Sequence, residues 1–194
     1  MTANRSGPAM QLDPAVAGRI RLLVLDVDGV LTDNGIWIGP VAGERVELKR
    51  FDIQDGLGLV LLRTAEIPVV WLSGRHSEAT ALRARELKVE ELLQVPGPRK
   101  LEALEQLISR RELSWDEVAY VGDDLADLQV LRRVGLAIAV ANAVAEVRAV
   151  ASYVTRAAGG HGAVREVVEA LLKARGVWAE ILERYFTEPA HRAR

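Results

Sequence analysis

The sequence predicts an α/β fold: a doubly wound parallel (Rossmann-like) sheet with helices on both faces, an inserted β-hairpin and no cap domain. Three observations lead to this prediction. Apolar runs of strand length alternate with helical patterns along most of the chain, as in sheets covered on both faces. Two β-type segments flank GPVAGE directly after the first strand, which is typical of a hairpin. No later insertion has the size of a second domain.

The strands of the predicted sheet are short and apolar, as expected for strands that are buried on both faces. They cover Leu22–Val27, Ile67–Leu72, Leu92–Val95, Val118–Val121 and Leu136–Val140. The two hairpin strands are Ile36–Ile38 and Arg45–Phe51, so the hairpin occupies about residues 34–51.

Helical patterns separate these strands. They cover Leu57–Glu66, His76–Leu87, Arg99–Arg111, Leu125–Val134, Ala163–Ala174 and Val177–Tyr185. The third pattern places four apolar residues on one face, which is the spacing of an amphipathic helix. We expect residues 1–18 to form a flexible N-terminal segment, residues 19–187 a single domain and residues 188–194 a tail.

Composition narrows the class of protein. The chain has 194 residues, of which 49% are hydrophobic and 27% charged, as in folded globular proteins. A net charge of −2 gives no reason to expect nucleic acid or an anionic membrane as a partner. The absence of cysteine excludes disulfides, thiol nucleophiles and zinc–thiolate sites, and it suits a cytoplasmic enzyme. We expect no signal peptide, because the N-terminus lacks a continuous apolar core, and no membrane span, because the longest apolar run, Val134–Ala145, is too short.

Reactive side chains follow three of the predicted strands where each strand ends. The strand ends are DVDG at residues 26–29, SGR at 73–75 and GDD at 122–124, with Asp127 and Lys100 expected close by. Ligands of such sheets bind at the carboxyl ends of the strands. Charged groups there are costly unless they meet a metal, a counter-ion or water. The pattern therefore predicts a hard-cation site that faces an anionic ligand.

This arrangement suits the cleavage of a phosphate monoester. A carboxylate attacks phosphorus well only beside Mg²⁺ and a cation that spread the phosphoryl charge. Asp26 is the candidate nucleophile, since an acyl-phosphate divides the reaction into two easier displacements. Asp28, two residues on, is placed to protonate the leaving alkoxide and later to deprotonate the attacking water.

DVDGVLTD (26–33), Ser73, Lys100 and GDDLADL (122–128) together resemble the haloacid dehalogenase-like phosphatase superfamily, in the same order over about residues 20–150. The resemblance implies that Asp26 is the nucleophile and Asp28 the general acid/base, and that Ser73 and Lys100 hold the phosphoryl group. It also implies Mg²⁺ as cofactor. Its ligands would be Asp26, the backbone carbonyl of Asp28, and Asp123, with Asp124 and Asp127 in a supporting shell.

A narrower resemblance follows from DGVLTDN, the hairpin, FDIQDGLGL, SGRHS and GGHGAVREV. These segments are similar to the capless group of 3-deoxy-D-manno-octulosonate 8-phosphate phosphatases of lipopolysaccharide biosynthesis. The resemblance implies a cytoplasmic homotetramer whose hairpins associate and whose subunits help to close each other's active sites. Trp37 on the hairpin is then the expected subunit contact. The sequence departs from the group's pattern at the hairpin turn GPVAGE, at Asn34 and at Arg99.

The resemblance also implies which residues contact the sugar acid. They are Asp28, Gly74, Arg75, Arg83, Lys100 and the segment Asp52, Ile53, Gln54, Asp55, Gly56. Arg75 and Arg83 are eight residues apart at a helix start, so we expect them to share a face and bind a carboxylate. The loop Gly159–Gly162 is expected to reach a neighbouring subunit's site.

Simpler interpretations of the same residues stay open. Ser73 is also suited to cap the helix near His76, and Asp124 and Asp127 to complement a helix dipole. Lys100, Arg75 and Arg83 are equally typical of solvated helix residues, and Gly159-Gly160 of a linker. The alternative functions are a phosphatase of a nonulosonate 9-phosphate or another small sugar phosphate, and a non-catalytic assembly module. The second is disfavoured, since nucleophile, acid/base, lysine and metal aspartate are all present.

Overall fold

Buried aliphatic residues build the centre of the sheet. Leu22–Leu25 (β1) is wholly buried in a computed structural model of the chain, which describes residues 11–187. Parallel partners flank β1 on both sides: Val69–Ser73 (β4) and Val118–Gly122 (β6). Glu91–Gln94 (β5), Leu136–Ala139 (β7) and Tyr153–Val154 (β8) complete the order β5-β4-β1-β6-β7-β8, with every neighbouring pair parallel. The predicted doubly wound sheet is confirmed.

Helices cover this sheet, and their bounds follow the apolar patterns in most cases. They are Pro14–Arg19 (α1), Ile53–Thr64 (α2), Glu78–Glu86 (α3), Lys100–Arg110 (α4), Leu128–Leu131 (α5), Ala145–Val150 (α6), Ala163–Ala174 (α7) and Trp178–Thr187 (α8). Short 3₁₀ turns precede α4, β6 and α5 at Gly97–Arg99, Trp115–Glu117 and Leu125–Asp127. None of the helices within residues 11–187 combines the length and the apolarity that a membrane crossing requires.

The hairpin consists of Trp37–Val41 (β2) and Glu44–Leu48 (β3), which within residues 11–187 pair only with each other. Its turn is shorter than the predicted GPVAGE. The two turn residues are Ala42 and Gly43, with φ of 51° and 86°, so the turn is of the tight type that requires positive φ twice. Pro40 lies inside β2. The position tolerates proline because both strands of a two-stranded sheet are edge strands.

Three elements differ from the sequence prediction. α1 lies in the segment expected to be flexible: Asp13 caps it, Leu12 and Ala17 are buried, and it packs against α7. α6 and β8 are absent from the prediction because six-residue helices and two-residue strands give almost no periodic signal. Residues 1–10 and the predicted tail lie outside the described residues. The described chain contains no cap-sized insertion.

Candidate active site

The carboxyl ends of β1, β4 and β6 bring three of the predicted site residues to one edge of the sheet. Asp26 follows β1, Ser73 ends β4 and Asp123 follows β6, and all three are buried. Since β1 lies between the other two strands, Asp26 occupies the middle of the group. The sheet topology therefore brings together residues that are up to 97 positions apart in sequence (123 − 26).

Asp26 is 6% exposed and is fixed by two donors. The backbone N–H of Val27 donates to Oδ1 at 2.6 Å, and the ammonium of Lys100 lies 2.9 Å from Oδ2. Burial and then the charge of Asp127 raise the pKa of Asp26 well above its usual range, whereas Lys100 opposes the rise. The neighbouring ammonium is what favours the ionised form that a nucleophile needs.

Lys100 is only 2% exposed, although it begins helix α4. Its ammonium bridges Asp26 and Asp127, which is 2.8 Å away. A solvated lysine, the simpler interpretation, is excluded by this burial. The two carboxylates raise the pKa of Lys100 against the opposing effect of burial, so the bridge is cationic.

Asp127 is fully buried and uses both oxygens inside the protein. Oδ1 accepts from the Tyr120 hydroxyl at 2.6 Å and from Lys100, while Oδ2 accepts from the backbone N–H of Asp123 at 3.0 Å and of Asp124 at 3.4 Å. The residue therefore orients Lys100 and the strand end. Asp124 is exposed and accepts from the N–H of Leu125, as a capping residue does.

Carboxylate oxygens of Asp26, Asp123 and Asp127 lie within 4.8 Å of one another. Because Asp127 is saturated with donors, Asp26 and Asp123 are the ones able to hold a cation. Oδ1 of Asp123 is buried and has no hydrogen-bond partner within residues 11–187, and burial with the charge of Asp127 raises its pKa to about 7. Unpartnered carboxylate oxygens in an acidic cluster fit a hard divalent cation such as Mg²⁺.

Gly29 lets the loop after β1 pass directly over this cluster. Its φ is +87°, and a Cβ at this position would lie 1.9 Å from Oδ2 of Asp123. Only glycine permits both the left-handed backbone and the close approach. Asn34, which departs from the family pattern, uses its side-chain amide to donate to the same oxygen at 3.4 Å.

Asp28 faces the hairpin. Its Oδ1 lies 2.6 Å from the ammonium of Lys49, and its Oδ2 lies 4.0 Å from the guanidinium of Arg75. Lys49 follows β3 directly, and its contact with Asp28 is absent from the sequence prediction. The only signal in the sequence is the alternation of Glu47 and Lys49, which places both on one side of an extended segment.

Arg75 has a partner within the chain. Its guanidinium binds the carboxylate of Glu47 in a bidentate pair at 2.9 and 2.6 Å, and this pair lowers the pKa of Glu47 to about 2. The prediction that Arg75 and Arg83 share a helix face is wrong. Ser77 caps α3, so Arg75 lies in the loop before the helix.

Arg83 instead lies on α3 against α2. Its guanidinium pairs with Glu86 at 2.8 Å, and a Cβ on Gly56 would meet the guanidinium at 2.8 Å. Ser73, at the end of β4, donates to the carbonyl of Arg75 at 2.9 Å and does not cap α3. Gly74 lies beside the Lys100 side chain, so this loop and Lys100 form one wall of the site.

Two aspartates at the start of α2 cap two different helices. Asp52 caps the helix by accepting from the N–H of Gln54 at 2.6 Å, and Ile53 is 77% exposed beside it. Asp55 points away from solvent and accepts from the N–H of Arg165 at the start of α7, at 2.8 Å. The structure therefore uses Asp55, an expected sugar contact, to cap another helix. Burial raises its pKa to about 6.

The loop Gly159–Gly162 packs against its own chain, and its reach to a neighbouring subunit's site stays a prediction. Gly160 donates its N–H to the carbonyl of Val30 at 3.0 Å, and Arg50 donates to the carbonyl of Gly160 at 2.7 Å. A Cβ on Gly159 would lie 1.8 Å from the carbonyl oxygen of Gly29. The loop is thus a support for the segment that follows the nucleophile, not a linker.

Comparison with known proteins agrees with this geometry. Residues 69–167 match the family model of haloacid dehalogenase-like hydrolases. The 3-deoxy-D-manno-octulosonate 8-phosphate phosphatase KdsC of Escherichia coli K12 is 44% identical over 170 residues, which is 88% of each chain. The Salmonella typhi protein of the same name is 43% identical over the same share.

Solved structures show the same likeness. The 3-deoxy-D-manno-octulosonate 8-phosphate phosphatase of Moraxella catarrhalis, in complex with magnesium, phosphate and KDO, is 38% identical with a TM-score of 0.83, covering 89% of this chain and 97% of that one. The Yersinia pestis phosphatase is 41% identical with a TM-score of 0.80, covering 86% and 88%. This chain therefore belongs to the haloacid dehalogenase-like hydrolases, in the group of the 3-deoxy-D-manno-octulosonate 8-phosphate phosphatases.

Proposed function

We propose that this chain is a Mg²⁺-dependent phosphatase that hydrolyses 3-deoxy-D-manno-octulosonate 8-phosphate to the free sugar acid and phosphate. The observation that carries the proposal is Asp26, a buried carboxylate held against Lys100 at the centre of the sheet edge. The substrate is that of relatives 44% identical over most of the chain. The family resemblance implies a role in lipopolysaccharide biosynthesis, which is expected of this chain.

Asp26, Asp123 and the backbone carbonyl of Asp28 would hold the Mg²⁺ ion. The unpartnered Oδ1 of Asp123 and the crowding of carboxylates support this ligand set. When bound, Mg²⁺ neutralises charge on the phosphoryl oxygens and on the carboxylates. Asp127 would act by orienting Lys100, and Asp124 by capping the turn that carries Asp127.

In the first displacement, a carboxylate oxygen of Asp26 attacks phosphorus and the bond from phosphorus to the sugar oxygen breaks. Asp28 transfers its proton to the departing alkoxide, so the sugar acid leaves as an alcohol. Lys100 and Ser73 hold the phosphoryl oxygens, and Lys100 stabilises their negative charge. The product on the enzyme is an aspartyl-phosphate on Asp26.

In the second displacement, Asp28 takes a proton from water as the water oxygen bonds to phosphorus. The bond between phosphorus and the Asp26 oxygen breaks, which releases inorganic phosphate and restores the carboxylate. Asp28 is again protonated and ready for the next substrate. Burial of Asp26 limits other water from reaching the intermediate.

Recognition of the sugar acid involves the mouth of the site. The proposed contacts are Ile53 and Gln54 at the start of α2, and Gly74 and Arg75 in the loop before α3. Because Glu47 occupies the guanidinium of Arg75, the substrate carboxylate has to share or replace that bidentate pair. Arg83 is a weaker candidate for this role, since it pairs with Glu86.

The proposal extends to a cytoplasmic homotetramer. The hairpin carries a group of exposed apolar side chains, Trp37, Ile38, Val41 and Leu48, each more than half exposed. Such a patch on a projecting hairpin is typical of a subunit contact. The lack of cysteine is consistent with a reducing compartment.

Phosphate release from a panel of substrates tests the function. The panel contains 3-deoxy-D-manno-octulosonate 8-phosphate, a nonulosonate 9-phosphate, hexose phosphates and an aryl phosphate, each with and without Mg²⁺. Preference for the octulosonate is expected. Preference for the nonulosonate would keep the chemistry and change the substrate, whereas no release from any compound would contradict the proposed function.

A further inference from the structure

Lys49 has a fully buried side chain that none of the motifs in the sequence explains. The exposed fraction of its side chain is 0%, although it follows an exposed hairpin strand. Its ammonium lies 2.6 Å from Oδ1 of Asp28 and 3.8 Å from Glu47, and it donates to the hydroxyl of Thr80 at 3.1 Å. Withdrawing an ammonium from water is costly unless charged partners compensate it. The shortest of these contacts is the one to Asp28.

Four charged side chains form a closed group at this point, which we call the hairpin charge cluster: Asp28, Glu47, Lys49 and Arg75. The charges of its two cations and two carboxylates cancel. Arg75 binds Glu47 through two nitrogens, and Glu47 also accepts from the Ser77 hydroxyl at 2.7 Å. Glu47 and Arg75 are thus each other's main partners, while the closest partner of Lys49 is Asp28.

Asp28 is held from one side only. One of its oxygens contacts Lys49, and the other is 4.0 Å from Arg75, beyond hydrogen-bond distance. Its side chain is 19% exposed, whereas Asp26 is buried. The ammonium of Lys49 is the closest charged partner of the Asp28 carboxylate and pairs with it by charge, without the geometry of a hydrogen bond. This pairing restrains the rotation of the carboxylate, and the oxygen that Lys49 leaves free is the one available to a ligand.

We propose that Lys49 is a positioning residue that orients the carboxylate of Asp28 for proton transfer to and from the reacting oxygen. The inference rests on the proposed phosphatase function and deepens it. Lys49 does not touch the phosphoryl group; it acts through Asp28. A proton donor has to lie within about 3 Å of the leaving oxygen, so a carboxylate free to rotate loses part of its effect.

A purely structural role predicts different behaviour. Through Thr80 and Glu47, Lys49 also ties the hairpin to α3. Its loss would then impair every substrate equally, because the whole wall of the site would shift. A positioning role makes the loss depend on the leaving group, since nitrophenolate leaves without a proton whereas a sugar alkoxide needs one.

The experiment compares Lys49→Met, Asp28→Asn and the double variant in the full-length protein with Mg²⁺. Single-turnover rates are measured for two reactions, so that only the first displacement is compared: formation of the sugar product from the sugar phosphate that wild type hydrolyses best, and release of nitrophenolate from p-nitrophenyl phosphate. We expect Lys49→Met to lower the rate of sugar-phosphate cleavage by about tenfold or more, and the rate of nitrophenyl-ester cleavage by less than about threefold. In the Asp28→Asn background, Lys49→Met should cause no further loss.

Lys173→Met is the matched control, because Lys173 pairs with Glu169 on the surface of α7. It should leave both rates unchanged. Equal losses on the two substrates, or losses that multiply in the double variant, would overturn the inference, as would wild-type rates in Lys49→Met. Failure of wild type to release phosphate would instead count against the proposed function, so the two failures are distinguishable.

Discussion

The chemistry of single residues in this site is controlled by burial and by one ammonium. Asp26, Asp123 and Asp127 are each buried next to one another, and Lys100 is the cation that lies among them. Burial and the charge of Asp127 raise the pKa values of Asp26 and Asp123, and Lys100 opposes the rise at both. The position of Lys100 therefore determines both the charge of Asp26 and the stability of the sheet edge.

Replacing Lys100 with Met tests this dependence. The change leaves Asp26 and Asp127 buried without their common partner, and breaking a buried pair costs about 3–5 kcal/mol of the free energy of unfolding. Urea unfolding at pH 8 without Mg²⁺ measures the effect. A matched change, Lys173→Met on the surface, should cost less than about 1 kcal/mol. A similarly small effect for Lys100→Met would contradict the account.

Contacts between elements decide which site residues the sequence alone can identify. The residues at strand ends, such as Asp26 and Asp123, are predictable because parallel strands end at a common edge. Lys49 and Glu47 are not, since their contacts depend on how the hairpin folds back on the loop before α3. Asp55 is another example: its sequence position suggests the sugar, but the packing of α2 against α7 gives it a helix to cap.

The junction of α2 and α7 predicts a dependence of stability on pH. Burial raises the pKa of Asp55 to about 6 in the folded state, above the value of about 3.9 for an unfolded chain. Between these values the folded state binds more protons, so this residue's contribution to stability is greatest below pH 4 and falls as pH rises to 6.

Asp55→Asn should remove this dependence while keeping an oxygen that accepts from Arg165. Relative to the variant, wild type is expected to lose about 2–3 kcal/mol of unfolding free energy between pH 4 and pH 7.5. Urea unfolding of both proteins across this range, without Mg²⁺, gives the difference. Parallel pH profiles for the two proteins would show that Asp55 is not the titrating group.

At the scale of the whole molecule, the fold concentrates negative charge at one edge of the sheet while the net charge of the chain is only −2. The protein is therefore expected to gain stability when a divalent cation binds there. A ligand that binds only the folded state raises the melting temperature, and the rise grows with the logarithm of the ligand concentration above the dissociation constant.

The gain should depend on pH. The pKa of Asp123 is raised to about 7, so below that value the site loses a ligand to protonation. We expect Mg²⁺ at saturating concentration to raise the melting temperature by about 5 °C or more at pH 8 and by less at pH 5.5. Calorimetry with wild type and Asp123→Asn measures this. An equal rise in the variant would exclude Asp123 from the metal site.

The most direct test of the account concerns Asp26. Phosphate release from 3-deoxy-D-manno-octulosonate 8-phosphate is measured with Mg²⁺ for wild type and Asp26→Asn, whose folding is checked by circular dichroism. Because the variant lacks the nucleophile at nearly constant volume, we predict a folded protein without detectable turnover beside an active wild type. Substantial Mg²⁺-dependent turnover by Asp26→Asn would show that the reaction does not proceed through an aspartyl-phosphate at this position.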